Sequence, residues 1–298
     1  MNQASGFPGH KTMAESVFLC VGLVRNGAKS IRREVERLSD ALGGSKALHF
    51  LFIESDSDDG TVVELEKISG TFENLRYVSL GRLGDELPKR TARLAHCRNI
   101  YVKEIRENPI YRGIDYVVVA DMDGLNTKIS AEGVESCWTH DEWDACFANP
   151  DGPYYDIWAL RHPDWSPNDC WAQYDFLNKY SKRRERNLFA SVHARMITIP
   201  KNADWIEVNS AFGGLAIYKR ALFEDAEYIG LDAAGEEICE HVTLHNQVVG
   251  RGARLFINPA FINAGRNGHT RELFFIRKIR RKIKHAKKRM RERAASRR

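Results

Sequence analysis

The chain has 298 residues, 43% of them hydrophobic and 10% aromatic, a composition that allows one sizeable buried core and excludes a low-complexity or disordered polymer. No apolar run approaches the roughly 18 residues of a membrane span, and the six cysteines are scattered without a C-x-x-C pair, which argues against a zinc knuckle or a disulfide framework. The net charge of +5 is divided: residues 271–298 hold 14 Lys/Arg against 2 Asp/Glu, a net of +12, and residues 1–270 carry a net of −7.

Residues 1–15 are polar, lack the charged-then-apolar pattern of a secretory signal, and are expected to form a disordered lead. "SVFLCVGLVRNG" then predicts a buried strand broken at Asn26-Gly27, followed by a helix with apolar positions at Ile31, Val35, Leu38 and Leu42. "ALHFLFIESDSDDGT" predicts a second strand ending in acids, "VVELEKISGT" a helix, "NLRYVSL" a third strand and "TARLAHCRNIYVKEIREN" a long helix leading into "DYVVVADMDG". Strands without polar alternation, separated by amphipathic helices, imply an α/β fold whose mostly parallel, Rossmann-like central sheet is flanked by helices. Residues 16–125 read as a nucleotide-binding half, with ligands at the carboxyl ends of the strands. Residues 126–270 read as an acceptor half. There, Trp138 and Trp143 are expected on a helix, "YYDIWALRHP" as a strand, "WIEVNSAFGGLAIYKRALF" as two strands joined through Gly213-Gly214, and "EHVTLHNQVVGRGARLFINPAF" as a helix and a final strand.

Alternate residues of an extended segment point the same way, so Asp121 and Asp123 can direct two carboxylates at one ion, with Met122 turned back into the protein. Two like charges so close call for a cation, and an oxygen-only pair suits Mg²⁺ or Mn²⁺. Glu54 or Asp56, at the tip of the second strand, is placed to bond a nucleoside; an Asx-rich turn that only caps the next helix explains the same acids. Arg93 and Arg98 lie about 140° apart around one helix, so both cannot face a single phosphate squarely. One can bind phosphate while the other packs or pairs with an acid, and solvated arginines are the competing reading. "NSAFGG" offers Asn209, Ser210, Gly213 and Gly214 where backbone can approach a flat sugar, or else a plain β-bulge. His241 and His245 share a helical face, without a third zinc ligand beside them.

Taken in order, "VGLVRNG", "FIESDSDDGT", "RLAHCRNIY", "DYVVVADMDG", "NSAFGGLAIY" and "CEHVTLHNQ" with "GARLFINPA" resemble GT-A type glycosyltransferases, and most of all the fungal capsule-associated α-mannosyltransferases and their bacterial relatives, over residues 16–263. The resemblance implies a nucleoside diphosphate sugar donor, a GDP-sugar before a UDP-sugar. It implies Mn²⁺ or Mg²⁺ on Asp121 and Asp123, and hexose transfer, of mannose with retention in the mannosyltransferase branch, to a saccharide or lipid-linked acceptor. Glu240 falls where inverting relatives keep a base; in a retaining enzyme it orients substrate instead. Asn209, Ser210, Gly213, Gly214 and His241 become the sugar-contacting set, and His269 the late histidine that completes the metal shell.

In the tail, Ile276, Ile279, Ile283, Ala286 and Met290 draw an apolar stripe along a helix otherwise made of Lys and Arg, which predicts a basic C-terminal helix lying on an anionic membrane surface. A solvated tail and a nucleic-acid arm share that pattern, and nucleic acid is not the expected partner. The chain is thus expected to be cytoplasmic, peripheral at the inner face of a membrane. Alternatives are a sugar-phosphate nucleotidyltransferase, for which "LVRNGAKS" supplies a poor phosphate loop, and a non-catalytic nucleic-acid-binding protein.

Overall fold

The computed structural model describes residues 10–265. Strands β1 (Val17–Val24), β2 (Ala47–Glu54), β3 (Leu75–Ser79) and β4 (Tyr116–Asp121) form from the apolar runs of the first half, with α1 (Ile31–Leu42), α2 (Thr61–Ser69) and α3 (Arg90–Glu107) between them. In α1 the four apolar positions Ile31, Val35, Leu38 and Leu42 are all buried. Each such side chain taken out of water stabilises the fold by roughly 1.5–3 kcal/mol, so packing rather than propensity holds this helix. These residues and Leu65 and Ile68 of α2 meet Phe18, Cys20, Phe50, Phe52, Val118 and Ala120 on one face of the sheet. α3 packs on β1 and β2.

The second half contributes α4 (Ala131–Glu135), β5 (Ala145–Asn149), α5 (Cys170–Tyr180), α6 (Arg184–Ser191), β6 (Ile206–Val208), β7 (Leu215–Lys219), α7 (Glu240–Val249) and β8 (Leu255–Ile262). One eight-stranded sheet runs β3-β2-β1-β4-β7-β5-β8-β6. Its parallel pairs are β1–β2, β2–β3, β1–β4 and β5–β8, whereas β7 opposes β4 and β5, and β6 opposes β8. The two halves read from the sequence therefore share a single sheet, joined where β7 inserts between β4 and β5. This reversal positions the site: because β7 runs against β4, its entry turn Gly213-Gly214 lies beside the exit of β4.

Several expectations need correction. Residues 10–15 are not part of a free lead: His10 Nε2 donates to the Trp143 carbonyl (2.7 Å), Lys11 pairs with Asp115 (2.6 Å) and Met13 is buried, since these side chains close the end of the sheet near Tyr116. Of the expected helix bearing Trp138 and Trp143, only the first part forms: a 3-10 turn over Ser136–Thr139 continues α4 and carries Trp138, while Trp143 lies outside it, the two indoles packing edge to face (5.7 Å) into the aromatic cluster of Phe18 and Tyr116. "YYDIWALRHP" is not a strand of the sheet but a turn, drawn tight by the Ile157 amide donating to the Tyr155 carbonyl (2.9 Å) and the Leu160 amide to that of Ile157 (3.3 Å). The basic tail and His269 lie outside the described residues. Among the described residues no helix is long and apolar enough to cross a membrane.

Candidate active site

The tip of β4 is held from both sides. The Asp121 amide donates to the Gly214 carbonyl (2.9 Å), and the Asn126 side chain donates to the Asp121 carbonyl (2.8 Å) and to Glu34 of α1 (2.9 Å). Glu34 is fully buried and also accepts from Arg37 (2.7 Å), so α1 fixes the loop that leaves β4. Met122 does turn inward: it is buried, and a Cβ on Gly22 of β1 would stand 2.5 Å from its Cγ. Asp123 is exposed and Asp121 only partly so.

Gly213 and Gly214 adopt φ of 71° and 87°, the left-handed region that a side chain strains. A Cβ on Gly214 would stand 2.9 Å from the Tyr155 hydroxyl and 3.4 Å from Asp121 Oδ2; one on Gly213 would stand 2.8 Å from the Ala148 carbonyl oxygen. The turn thus brings backbone against the carboxylates in space that only glycine leaves open. Gly213→Ala, strained in φ and pressed on backbone that cannot yield, is expected to lose about 1–3 kcal/mol in urea unfolding; an unchanged midpoint would show that the turn relaxes freely.

Around Asp121 gather Asp123, Asp156, Glu240 and one cation, Arg98. Burial pushes the Asp121 carboxyl from 3.8 up to about 7; Arg98 opposes the rise, and Asp123, Asp156 and Glu240 add to it. Arg98 is buried, donating to Glu240 (3.1 Å) and to the Tyr101 hydroxyl (3.4 Å), with its guanidinium 5.5 Å from the ring centres of both Phe212 and Tyr228. His241 stacks on Phe212 at 3.9 Å, and neither ring nitrogen has a hydrogen-bond partner among the described residues. Burial first, then Arg98 and His245, hold this imidazole well below its ordinary value. It is therefore neutral, and its 3.9 Å approach to Glu240 is not an ion pair.

Asp156 is the acid that sequence reasoning missed. It accepts from the Gly213 amide (3.2 Å) and the Ala159 amide (3.4 Å), and beside it Tyr155 donates to the Gly213 carbonyl (3.0 Å). A carboxylate within an aromatic run was the available signal.

The other predicted residues separate into two places. Glu54 is buried, accepting from the Ser57 amide (3.1 Å) and the Ser79 hydroxyl, and so ties β2 to β3 and to its own turn. Asp56, at φ 60°, accepts from the Gly84 amide (2.7 Å) and stands 3.9 Å from Arg93, which spends its donors on the Leu87 and Pro88 carbonyls (2.7 and 2.8 Å). Arg93 and Arg98 do not converge. Ser210 is fully buried and bonds the Ala159 carbonyl (2.6 Å) and His245 Nδ1 (2.8 Å), while His245 Nε2 meets Tyr218 (2.9 Å); that histidine has both nitrogens engaged. Asn209 is exposed next to Ser210. Finally, the amides of Asn26, Gly27 and Ala28 are taken by Ser57 (3.0 Å), Thr61 (2.8 Å) and Asp59 (3.2 Å), which leaves the first loop no open cradle for phosphate and removes support for the nucleotidyltransferase alternative.

The donor chemistry at β4 fits a divalent ion. Two carboxylates point out of one strand end, and the acids Asp156 and Glu240 stand near them beside Arg98. Among the described residues no cluster of three or more His, Cys, Asp or Glu suited to a metal is present, so most ligands of such an ion would come from diphosphate oxygens and water. Without metal, Asp121 has a linked effect on stability. Its folded value exceeds its unfolded one, so between 3.8 and about 7 the native state holds the extra proton, and stability from this group falls as pH rises through that window. Asp121→Asn should then exceed the parent in urea stability at pH 8 by up to about 4 kcal/mol, with the gap closing as pH falls toward 4. A gap that ignores pH would contradict the crowding.

No protein-family model matches the chain. No curated protein matches it in sequence. The architecture is that of the GT-A-type fold, and solved structures of that fold resemble it. Residues 1–349 of TarS from S. aureus, in complex with UDP, align at a TM-score of 0.50 with 14% identity, covering 84% of this chain and 60% of that fragment. The mannosyltransferase PcManGT from Pyrobaculum calidifontis, in complex with GDP-Man and Mn²⁺, aligns at 0.48 with 13% identity, covering 89% of this chain and 60% of that enzyme. The chain thus spans about three fifths of the length of the structures it resembles.

Proposed function

We propose that the protein is a metal-dependent glycosyltransferase that moves a hexose from a nucleoside diphosphate sugar to a polysaccharide or glycolipid acceptor. One observation carries the reading: on a GT-A fold, Asp121 and Asp123 leave β4 against the Gly213-Gly214 turn, with the carboxylates of Asp156 and Glu240 gathered beside them. A bound Mn²⁺ or Mg²⁺ supplies the charge that offsets the departing diphosphate. Asp121 and Asp123 hold that ion, and His269, outside the described residues, adds a ligand. The glycine turn admits the sugar close to the backbone. Glu240, engaged by Arg98, keeps that arginine aimed at the carboxylates and orients substrate rather than taking a proton, which agrees with a retaining transfer. Asp56 and Arg93 form the nucleoside end. The UDP complex of TarS supports a nucleoside diphosphate in this fold; the resemblance read from the sequence motifs favours GDP and mannose. An acceptor at the inner face of a membrane, approached through the basic tail, completes the proposal.

The test is a thermal-shift panel of GDP-mannose, UDP-glucose and UDP-N-acetylglucosamine, with and without Mn²⁺. One sugar nucleotide should raise the midpoint by several degrees only when Mn²⁺ is present, because ligands of the native state stabilise it by mass action. No response to any of them would reject the reading.

A further inference from the structure

A cleft of about 460 Å³ opens at the carboxyl edge of the sheet, beyond β4 toward β5 and β8. The chain that has left β4 forms one wall with Lys128, Ser130 and Glu132, and the loop after β5 forms a second with Pro150 and Asp151. Residues 198–201 supply a third, and the end of β8 completes the cleft with Ala260 and Ile262. Because β7 opposes both β4 and β5, and β8 runs with β5, this cleft and Asp121 share one edge of the sheet. Its volume lies in the range of roughly 300–1,000 Å³ usual for small-molecule sites.

One buried residue joins the cleft to the acidic site. The Asn263 carbonyl accepts from the Lys128 amide (2.9 Å), and its side chain donates to the Gly213 carbonyl (2.9 Å) and to Asn126 (3.3 Å). A Cβ on Gly214 would stand 3.4 Å from that side-chain nitrogen and 3.4 Å from Asp121 Oδ2, so cleft and carboxylates meet at the glycine turn. Asn149, just before Pro150, donates to the carbonyls of Ile199 (3.2 Å) and Pro259 (3.1 Å), and Ile199 lines the cleft. Asn149 and Asn263 are fully buried, yet the side-chain oxygen of each has no hydrogen-bond partner among the described residues. Buried acceptors of this kind call for a donor from water or from a ligand hydroxyl.

The charges in the cleft cancel. Lys128 and Lys201 stand against Glu132 and Asp151, and Lys128 pairs with Asp151 from the facing wall. A phosphate would therefore meet as many acids as cations. Among the described residues no aromatic side chain lines the cleft, so a nucleobase finds no ring to stack on. What the walls do offer is donors and acceptors of both kinds, the Thr198 hydroxyl included, set around the apolar faces of Pro150, Ile199 and Ile262. That combination matches a ring with hydroxyls on its edge and C–H groups on its faces. We propose that the cleft seats an uncharged saccharide ring of the acceptor, beside a donor held at the Asp121 site. The acceptor role rests on the glycosyltransferase reading; the affinity for saccharide does not.

The test titrates the full chain with the methyl glycosides of mannose, glucose and N-acetylglucosamine, without sugar nucleotide or Mn²⁺, and reads binding by saturation-transfer NMR. At least one glycoside should bind saturably. Thr198→Trp, which puts an indole into the cleft, and Lys128→Ala/Asp151→Ala, which removes hydrogen-bonding groups while the net charge stays the same, should each weaken that binding about tenfold or more. All three positions are exposed, so the thermal midpoint should hold and report that both variants fold. Glycoside binding that ignores both variants would place the saccharide elsewhere. Tighter binding of a hexose phosphate than of the same neutral hexose would contradict the balance of charge, and no saturable binding would leave the cleft without its ligand; each of these results overturns the proposal. Where the thermal-shift panel finds a sugar nucleotide, that donor and the glycoside should bind together, and displacement of one by the other would make the cleft part of the donor site and overturn the acceptor role. A panel without response beside intact glycoside binding would reject glycosyl transfer, and the acceptor role with it, while upholding the saccharide site.

Discussion

Asp123→Ala is expected to lower Mn²⁺-dependent turnover of the sugar nucleotide by about 10³-fold or more while the protein keeps its thermal midpoint. Both halves of that result come from position. Asp123 is exposed, so its removal takes no packing from the core, and surface changes of this kind usually stay within about 0.5 kcal/mol. Charge on a departing diphosphate must be offset where it develops, and removing one preorganised electrostatic contributor typically costs about 10²–10³ in rate. A carboxylate that also holds the ion should reach at least the upper end of that range. Asp123→Asn separates charge from shape: it preserves volume and should fall nearly as far as alanine. A Mn²⁺ titration followed by calorimetry gives a second view, with weakened metal binding in both variants. Turnover within tenfold of the parent would move the metal site elsewhere.

The parts of this arrangement that were legible in the sequence are those set by local periodicity. Four apolar residues before Asp121 signalled a buried strand, and the one-residue spacing of Asp121 and Asp123 pointed both acids away from the core and Met122 into it. The Gly213-Gly214 turn was visible for the same reason, as a break between two apolar runs. Illegible were the partnerships that the sheet order creates. Glu34 reaches Asn126 across 92 residues and Arg98 reaches Glu240 across 142, distances over which no sequence spacing carries information. Asp156 was hidden by its aromatic neighbours, which imitate a strand although the backbone there winds into a turn that points the acid at Gly213. Ser210 entered the sugar-contacting set through the family resemblance; its burial against His245 and the Ala159 carbonyl is a partnership that no sequence spacing carries.

Arg98→Ala is expected to destabilise the fold by about 3–5 kcal/mol, the cost typical of breaking one side of a buried ion pair. The reason is electrostatic more than steric. With Arg98 absent, Glu240 is left without that partner in a nearly dry position, and Asp121 loses a neighbour that lowers its pKa. Loss of the guanidinium from the rings of Phe212 and Tyr228 adds a smaller cation–π contribution, about 1–2 kcal/mol where desolvated. The double variant Arg98→Met/Glu240→Gln discriminates charge from packing. Methionine fills much of the same volume and glutamine carries no charge, so urea unfolding should recover most of the loss, as replacement of buried ion pairs by neutral groups commonly does. Turnover should stay low, because the pair exists to set the field at the carboxylates and not to hold the helices together. If Arg98→Ala loses less than about 1 kcal/mol, or if the double variant is no more stable than the single one, the charge of Arg98 is not what keeps these acids together at the end of β4.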